Sequence, residues 1–168
     1  LVLVLCAKFA LAQNTIPTIE IATVEKHLYT LASDAMEGRK AGTPGIEKAA
    51  QYIETVFEDI GLTTYNVLPT YRQNFKATGL DLFNVIGVLE GKSKKNEFVV
   101  ISAHYDHLGV KKEGTGDLIY NGADDDASGT TAVLTLAQYF KELDTNERTL
   151  IFVAFTAEEM GLLGSRHF

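Results

Sequence analysis

The sequence predicts an α/β fold in which a mixed, largely parallel sheet is flanked by helices. Segments with strand patterns alternate with segments with helix patterns, which is typical of this class. The run Leu150–Phe155 is continuously apolar, as expected of a central strand buried on both faces. The chain has 168 residues, of which 46% are hydrophobic and 22% charged, so it can form one domain with a core.

The chain begins with an apolar stretch, residues 1–12, that contains one charge, Lys8, and ends in a small-x-small pattern before Gln13. The pattern is typical of the hydrophobic part of a secretory signal, and the stretch is too short to span a bilayer. A buried strand or helix is the alternative. We predict a partial signal peptide over residues 1–12, one domain over residues 13–168, and a secreted or periplasmic protein. The single cysteine, Cys6, excludes a disulfide framework within this chain.

Two helices are predicted in the first third of the chain. The first spans Thr23–Ala32, and a glycine-containing loop follows over residues 34–45. A second, strongly periodic helix opens at Pro44 and runs to about Ile60, where Gly61 ends it.

Strands are predicted in the middle of the chain. The segment Tyr65–Phe75 is polar and irregular, which favours an edge strand. The segments Leu82–Leu89 and Phe98–Ala103 are apolar and β-branched, so we expect two strands that are neighbours across a turn at Gly91–Asn96.

The last third of the chain alternates again. Residues 108–122 are predicted to form a glycine-rich loop, and Ser128–Leu143 a helix with one apolar stripe. The strand Leu150–Phe155 follows, and a final helix is expected to begin near Glu158.

Histidine and acidic residues gather at or just beyond the predicted strand ends. The segments are HYDH at 104–107, GADDDASG at 122–129 and TAEE at 156–159. Singly, each has a structural interpretation as loop residues, helix caps or solvated acids. Together they place many metal-binding side chains at one sheet edge, and such negative charge needs a neutralising group.

Histidine nitrogen combined with carboxylate oxygen suits zinc. Two metal ions about 3.5–4 Å apart need a bridging carboxylate, for which an aspartate at a helix start is suitable. The adjacent Glu158 and Glu159 point in different directions on an extended segment. One can therefore bind metal while the other acts as general base.

The net charge of −7 argues against a nucleic-acid partner.

These three segments together resemble family twenty-eight of the metallopeptidases, the co-catalytic di-zinc aminopeptidases. The segment LASDAMEGRKAGTPG at 31–45 is also similar to the opening of secreted bacterial members. The resemblance covers nearly all of residues 24–168. It implies the phosphorylase/hydrolase-like three-layer αβα fold of zinc exopeptidases, incomplete here, with residues 13–168 as the N-terminal part of one catalytic domain.

The resemblance also implies a role for each matched residue. His104 matches the histidine ligand of one zinc ion, and Asp106 the carboxylate that orients it. Asp125 matches the aspartate that bridges the two ions. Glu158 matches the general base, and Glu159 the ligand of the other zinc ion.

Other residues receive no metal role from the resemblance. His107, Asp124 and Asp126 are left with structural or supporting roles, and the peptide bond after Asp125 is expected to be cis. The family supplies a further aspartate and histidine after the glutamates, for which His167 is a poor substitute. We therefore expect this chain to be a fragment that alone binds metal weakly and has little activity.

The resemblance implies a zinc-dependent exopeptidase that hydrolyses N-terminal residues from peptides, an aminopeptidase. Two alternatives use the same fold, a carboxypeptidase and a glutaminyl cyclase. A third is a truncated, inactive binding homologue. Peptides are the expected partners, with no nucleic acid and no membrane after signal cleavage; substrate preference and oligomeric state stay open.

Overall fold

The structure is a computed structural model that describes residues 16–168. The predicted signal peptide over residues 1–12 lies outside this range. Within it, no helix combines the length and the apolar character that crossing a membrane requires.

The helices of the described range lie toward both ends of the chain, on either side of a central stretch of strands. They are α1 (Ile21–Leu31), α2 (Pro44–Ile60), α3 (Ser128–Leu143) and α4 (Leu163–His167), with a 3-10 segment at Asp34–Arg39 and a π-helical turn at Ala123–Ala127. The predictions for α1, α2 and α3 are confirmed. Gly61 ends α2 as expected, with φ of 77° in the left-handed region.

Seven strands form two sheets within residues 16–168. They are β1 (Thr63–Thr64), β2 (Arg72–Ala77), β3 (Leu80–Leu89), β4 (Lys94–His104), β5 (Gly109–Val110), β6 (Ile119–Tyr120) and β7 (Arg148–Phe155). The main sheet has the order β1-β3-β7-β4, with β2 also paired to β3, and β5 pairs with β6 separately. The β4–β7 pairing is parallel, and the other pairings of the main sheet are antiparallel.

The predicted neighbours β3 and β4 are not adjacent, because β7 lies between them. The turn between them does not close a hairpin. Instead, the N–H groups of Lys92 and Lys94 donate to the carbonyl oxygens of Asn146 and Glu147, just before β7. The start of β4 is thereby aligned with the start of β7. As predicted, β7 is an internal strand, with β3 on one side and β4 on the other, which suits a segment that is apolar on both faces.

The core lies mainly between the sheet and helices α1, α2 and α3. In this core, Phe152 and Ala154 of β7 belong to the same buried cluster as Ile53 and Phe57 of α2 and Leu134 of α3. On the opposite face of the sheet, a smaller cluster contains Ile86, Ile151 and Val153. A mixed sheet flanked by helices confirms the α/β class.

The sequence analysis placed the start of the final helix near Glu158, and this prediction is wrong. The chain after β7 turns first, and α4 begins at Leu163. The backbone adopts positive φ at Ala157 (53°), Gly161 (97°) and Leu162 (62°), which interrupts a right-handed helix. Glu158 and Glu159 therefore lie on a turn at the end of a strand.

Candidate metal centre

The parallel pair of strands brings two of the three acidic and histidine segments to one sheet edge. His104, the last residue of β4, is in register with Phe155, the last residue of β7. The C-terminal ends of the two strands are therefore aligned, and residues 104–107 and 156–159 begin side by side. The third segment enters from the π-helical turn that precedes α3.

His104 is the point where the three segments meet. Its Nε2 atom lies 3.0 Å from Oδ1 of Asp125 and 4.0 Å from Oε2 of Glu158. Its Nδ1 atom lies 3.1 Å from the backbone oxygen of Asp106 and 3.7 Å from that residue's carboxylate. The imidazole is thus fixed by Asp106 on one nitrogen and directed by the other toward two carboxylates.

Asp106 is fully buried and joins the two strand ends. Its Oδ1 accepts the backbone N–H of Glu158 at 3.0 Å, and its Oδ2 accepts that of Glu159 at 3.3 Å. Charged acceptors make such hydrogen bonds stronger than neutral ones. Asp106 therefore orients the backbone of both glutamates as well as contacting His104.

His107 joins the cluster, although the sequence analysis assigned it no metal role. Its Nδ1 atom lies 2.7 Å from Oε1 of Glu159 and 3.8 Å from Oδ2 of Asp125. These three residues can each offer a ligand atom within 4.8 Å of the others. The sequence did indicate this residue, because His107 is the second histidine of the HYDH segment, which begins at the last residue of β4.

Asp126 has a structural role. Its carboxylate accepts the backbone N–H of Gly129 at 2.9 Å and that of His104 at 3.3 Å, so it caps the start of α3 and holds the end of β4. The peptide bond between Asp125 and Asp126 is cis, as expected. Asp124 is exposed, and His167 stacks on the ring of Phe75 with centroids 4.3 Å apart.

The carboxylates alter the acid–base behaviour of His104. Burial lowers the pKa of its imidazole, but the hydrogen bonds and charge of Asp106, with the charge of Asp126, outweigh burial and raise the pKa to about 9. A metal ion would have to displace this proton, because only neutral imidazole ligates metal.

The residues present fit zinc. Imidazole nitrogens and carboxylate oxygens are donors that zinc prefers. The side chain of Asp125 is 61% exposed. Its Oδ1 is directed toward His104 and its Oδ2 toward His107, so its two oxygens face different histidines. A carboxylate placed in this way suits a bridge between two cations.

The fold and the donor set define a zinc-exopeptidase-like α/β protein. The sequence model of Peptidase family M28 matches residues 84–168, half of the chain. The chain belongs to this family.

Two curated relatives have clear sequence similarity. Aminopeptidase YwaD of Bacillus subtilis is 36% identical over 86 residues, which cover 51% of this chain and 17% of that protein. The alkaline phosphatase isozyme conversion protein of Escherichia coli is 32% identical over 160 residues, which cover 86% of this chain and 44% of that protein. The chain thus spans less than half the length of these relatives.

Solved structures share the fold. LapB from Legionella pneumophila has a TM-score of 0.63 and 28% identity, over 88% of this chain and 37% of that one. The glutaminyl cyclase of Fimbriiglobus ruber has a TM-score of 0.72 at 22% identity, over 96% of this chain and 58% of that one. At that identity, the second likeness shows the fold alone.

Proposed function

We propose that this chain carries the catalytic glutamate and part of the zinc site of an aminopeptidase, which removes N-terminal residues from peptides. One observation carries the proposal: His104, Asp125 and Glu158 converge at one sheet edge, with 3.0 Å between His104 Nε2 and Asp125 Oδ1. Membership of the family and the similarity to the B. subtilis aminopeptidase support it.

His104, Asp125 and Glu159 are the residues that would hold two zinc ions. Zinc bound there would supply Lewis-acid chemistry, which lowers the pKa of water and polarises a scissile carbonyl. His107 holds Glu159 through its Nδ1 atom at 2.7 Å. This contact suits a supporting role, because a hydrogen bond to a ligating carboxylate fixes its orientation.

Glu158 is the proposed general base. Its side chain is 37% exposed at the edge of the cluster, and its carboxylate lies 4.0 Å from His104 Nε2. Asp106 holds its backbone N–H, so the position of the side chain is set from the main chain. Glu158 would accept a proton from the attacking water and return it to the leaving amine.

The two adjacent glutamates provide a matched test in the full-length protein. We expect Glu158→Gln to lower kcat by about 10²–10⁴-fold, the usual contribution of a general base, with zinc content nearly unchanged. Glu159→Gln is expected to lose zinc. Metal analysis beside the kinetics separates the two roles; loss of zinc from Glu158→Gln alone would mean that the two roles are exchanged.

The substrate assay distinguishes the alternatives on the same fold. The assay compares, under one set of conditions, peptides that begin with leucine, glutamate or glutamine and peptides that end in glutamate. Release of N-terminal residues supports an aminopeptidase, whereas cyclisation of the glutaminyl peptide or C-terminal release would support the other two enzymes. Zinc binding without turnover of any of them would support an inactive homologue.

Two further expectations stay proposals. Weak metal binding and little activity are expected of this chain alone, because only three ligand side chains are proposed here for two ions. An extracytoplasmic location is proposed from the apolar pattern of residues 1–12.

A further inference from the structure

The largest fully buried side chain of the described residues is that of Arg39. Buried arginines are usually paired with a carboxylate. None of the ion pairs found among residues 16–168 includes Arg39. Its guanidinium instead donates four hydrogen bonds to backbone carbonyl oxygens, those of Leu31 (2.5 Å), Tyr105 (2.9 Å), Asn121 (2.6 Å) and Gly122 (2.9 Å).

Two of these carbonyl groups, those of Tyr105 and Gly122, belong to segments that carry candidate ligands. Tyr105 directly follows His104, and Gly122 lies three residues before Asp125. The guanidinium is a planar fork with fixed donor directions. A single rigid group therefore sets the distance between the loop after β4 and the turn before α3.

The main chain of Arg39 adds another connection. Its carbonyl oxygen accepts the backbone N–H of His107 at 3.2 Å. Glu37, Gly38 and Arg39 have φ of 51°, 64° and 49°, a run in the left-handed region that non-glycine residues disfavour. Only glycine fits at Gly38, because a Cβ there would collide with the backbone of Gly109. Such a conformation persists only where the surrounding structure holds it.

Arg39 also affects the charge balance of the cluster. Burial lowers the pKa of its guanidinium to about 10, while the charges of Asp106, Asp125 and Asp126 act in the opposite direction. The side chain thus remains a cation at neutral pH. It forms no ion pair with Asp125 among the described residues, so it does not compete with a metal for the oxygens that face His104 and His107.

We propose that Arg39 is a positioning residue of the metal centre, which fixes the separation of His104 and Asp125 by joining their two segments through backbone carbonyl groups. This inference rests on the proposed zinc site. It predicts that loss of the guanidinium weakens metal binding by folded protein.

The test compares Arg39→Met and Arg39→Lys with Arg72→Met in the full-length protein. Arg72 is a suitable control, because it is also largely buried, with 23% of its side chain exposed. Its partners are Glu47 and Glu54 at 2.7 Å, outside the cluster. Zinc affinity is measured by competition with a chromophoric chelator, and the fraction of folded protein by circular dichroism. The absorption spectrum of the cobalt-substituted protein reports ligand geometry.

We expect Arg39→Met to lower zinc affinity by about 10–100-fold, as loss of a group that orients metal ligands does, and to alter the cobalt spectrum. Arg39→Lys should lose less, because an ammonium group keeps the charge but cannot span the carbonyl groups of Tyr105 and Gly122 together. Arg72→Met should lose stability alone, with zinc affinity and cobalt spectrum unchanged.

The inference is overturned if both Arg39 variants fold and bind zinc as Arg72→Met does. Failure of both Arg39 variants to fold would also overturn it, since the residue would then be required for folding itself. If Arg39→Met alone does not fold, Arg39→Lys decides by the same comparison of affinity and spectrum. Absence of zinc binding by the unmodified protein would instead overturn the proposed function.

Discussion

Strands β4 and β7 are parallel neighbours that both end at the candidate metal centre, yet their surroundings differ. Six of the eight residues of β7 are buried, whereas β4 lies at the edge of the sheet with Phe98 61%, Val99 41% and Val100 46% exposed. Both strands contain a run of apolar residues that includes β-branched ones. The comparison shows that composition identifies a strand, while its place in the sheet depends on which segments pair with it.

The two strand ends are accordingly held by different means. The chain after β7 is tied to the sheet interior through Asn84 of β3. The end of β4 is also bonded to the sheet through Tyr105, and it receives additional hydrogen bonds from outside the sheet, from Thr130 of α3 and from Arg39. The site therefore joins the end of an enclosed strand, which is held from within the sheet, to the end of an edge strand, which also has contacts from α3 and from the loop before α2.

The largest expected effect contrasts two phenylalanines on these strands. Phe152→Ala in β7 removes a side chain that is 0% exposed, and we expect it to lower the free energy of unfolding by about 3–5 kcal/mol. Phe98→Ala in β4 should change it by about 0.5 kcal/mol or less, as is usual for surface positions. Urea denaturation of both variants with equal m-values measures the difference.

The comparison would fail if Phe98→Ala cost more than about 2 kcal/mol in the full-length protein, a loss typical of core positions. That result would mean that polypeptide outside residues 16–168 covers β4. A small loss in both variants would mean instead that β7 is not the enclosed strand.

The sequence predicted single elements better than their arrangement. The periodic helix Pro44–Ile60 and the buried strand that ends at Phe155 were both predicted, because local patterns of apolar residues determine them. The pairing of β3 with β4 was predicted wrongly. The segment Gly91–Asn96 resembles a hairpin turn, but its N–H groups bond to the chain that enters β7, and no local pattern encodes that contact.

The same limit applies to the site. Its segments could be predicted because metal-binding side chains follow strand ends. The contact between His107 and Glu159 could not be predicted, since it depends on the register between β4 and β7. Arg39 was also missed, because a lone arginine in a glycine-containing loop has no sequence signal for complete burial. The roles of the five assigned residues stay predictions, and the variants of Glu158 and Glu159 described above test two of them.

An intermediate effect separates the polar contacts at the two strand ends. Asn84 is fully buried; its Oδ1 accepts the N–H of Thr156 at 3.1 Å, and its Nδ2 donates to the oxygen of Gly164 at 2.9 Å. Asn84→Leu leaves both backbone groups unsatisfied, so we expect the free energy of unfolding to fall by about 1–3 kcal/mol or more. The matched variant Thr130→Val removes one hydrogen bond, to the oxygen of His104, and should cost about 0.5–1.5 kcal/mol.

Calorimetric or urea unfolding of both variants provides the measurement. Equal losses would contradict the distinction between the two strand ends. A loss in Thr130→Val that exceeds the loss in Asn84→Leu would reverse it and make β4 the more dependent partner.

The smallest expected effect lies at the opposite end of the strand pair, where Lys94 of β4 contacts Glu147 just before β7 at 2.8 Å. The hydrogen bond and charge of Lys94 hold the pKa of Glu147 below the ordinary value of 4.5. Since the folded-state pKa is the lower one, the contact stabilises the fold above pH 4.5, and this stability is lost as the pH falls through the folded value.

Both of these side chains are largely exposed, so water and salt weaken the pair. Lys94→Met should return the Glu147 pKa toward its ordinary value in an NMR titration of the side-chain carboxyl. Lys92→Met is the control, because Lys92 pairs with Asp144 at 2.6 Å and should leave the Glu147 pKa unchanged. An unchanged Glu147 pKa in Lys94→Met would show that this pair does not form in solution. The start of the edge strand would then be aligned by the backbone contacts of Lys92 and Lys94, by the ion pair of Glu97 with Arg148 and by the hydrogen bond that Thr149 donates to the Lys95 carbonyl oxygen.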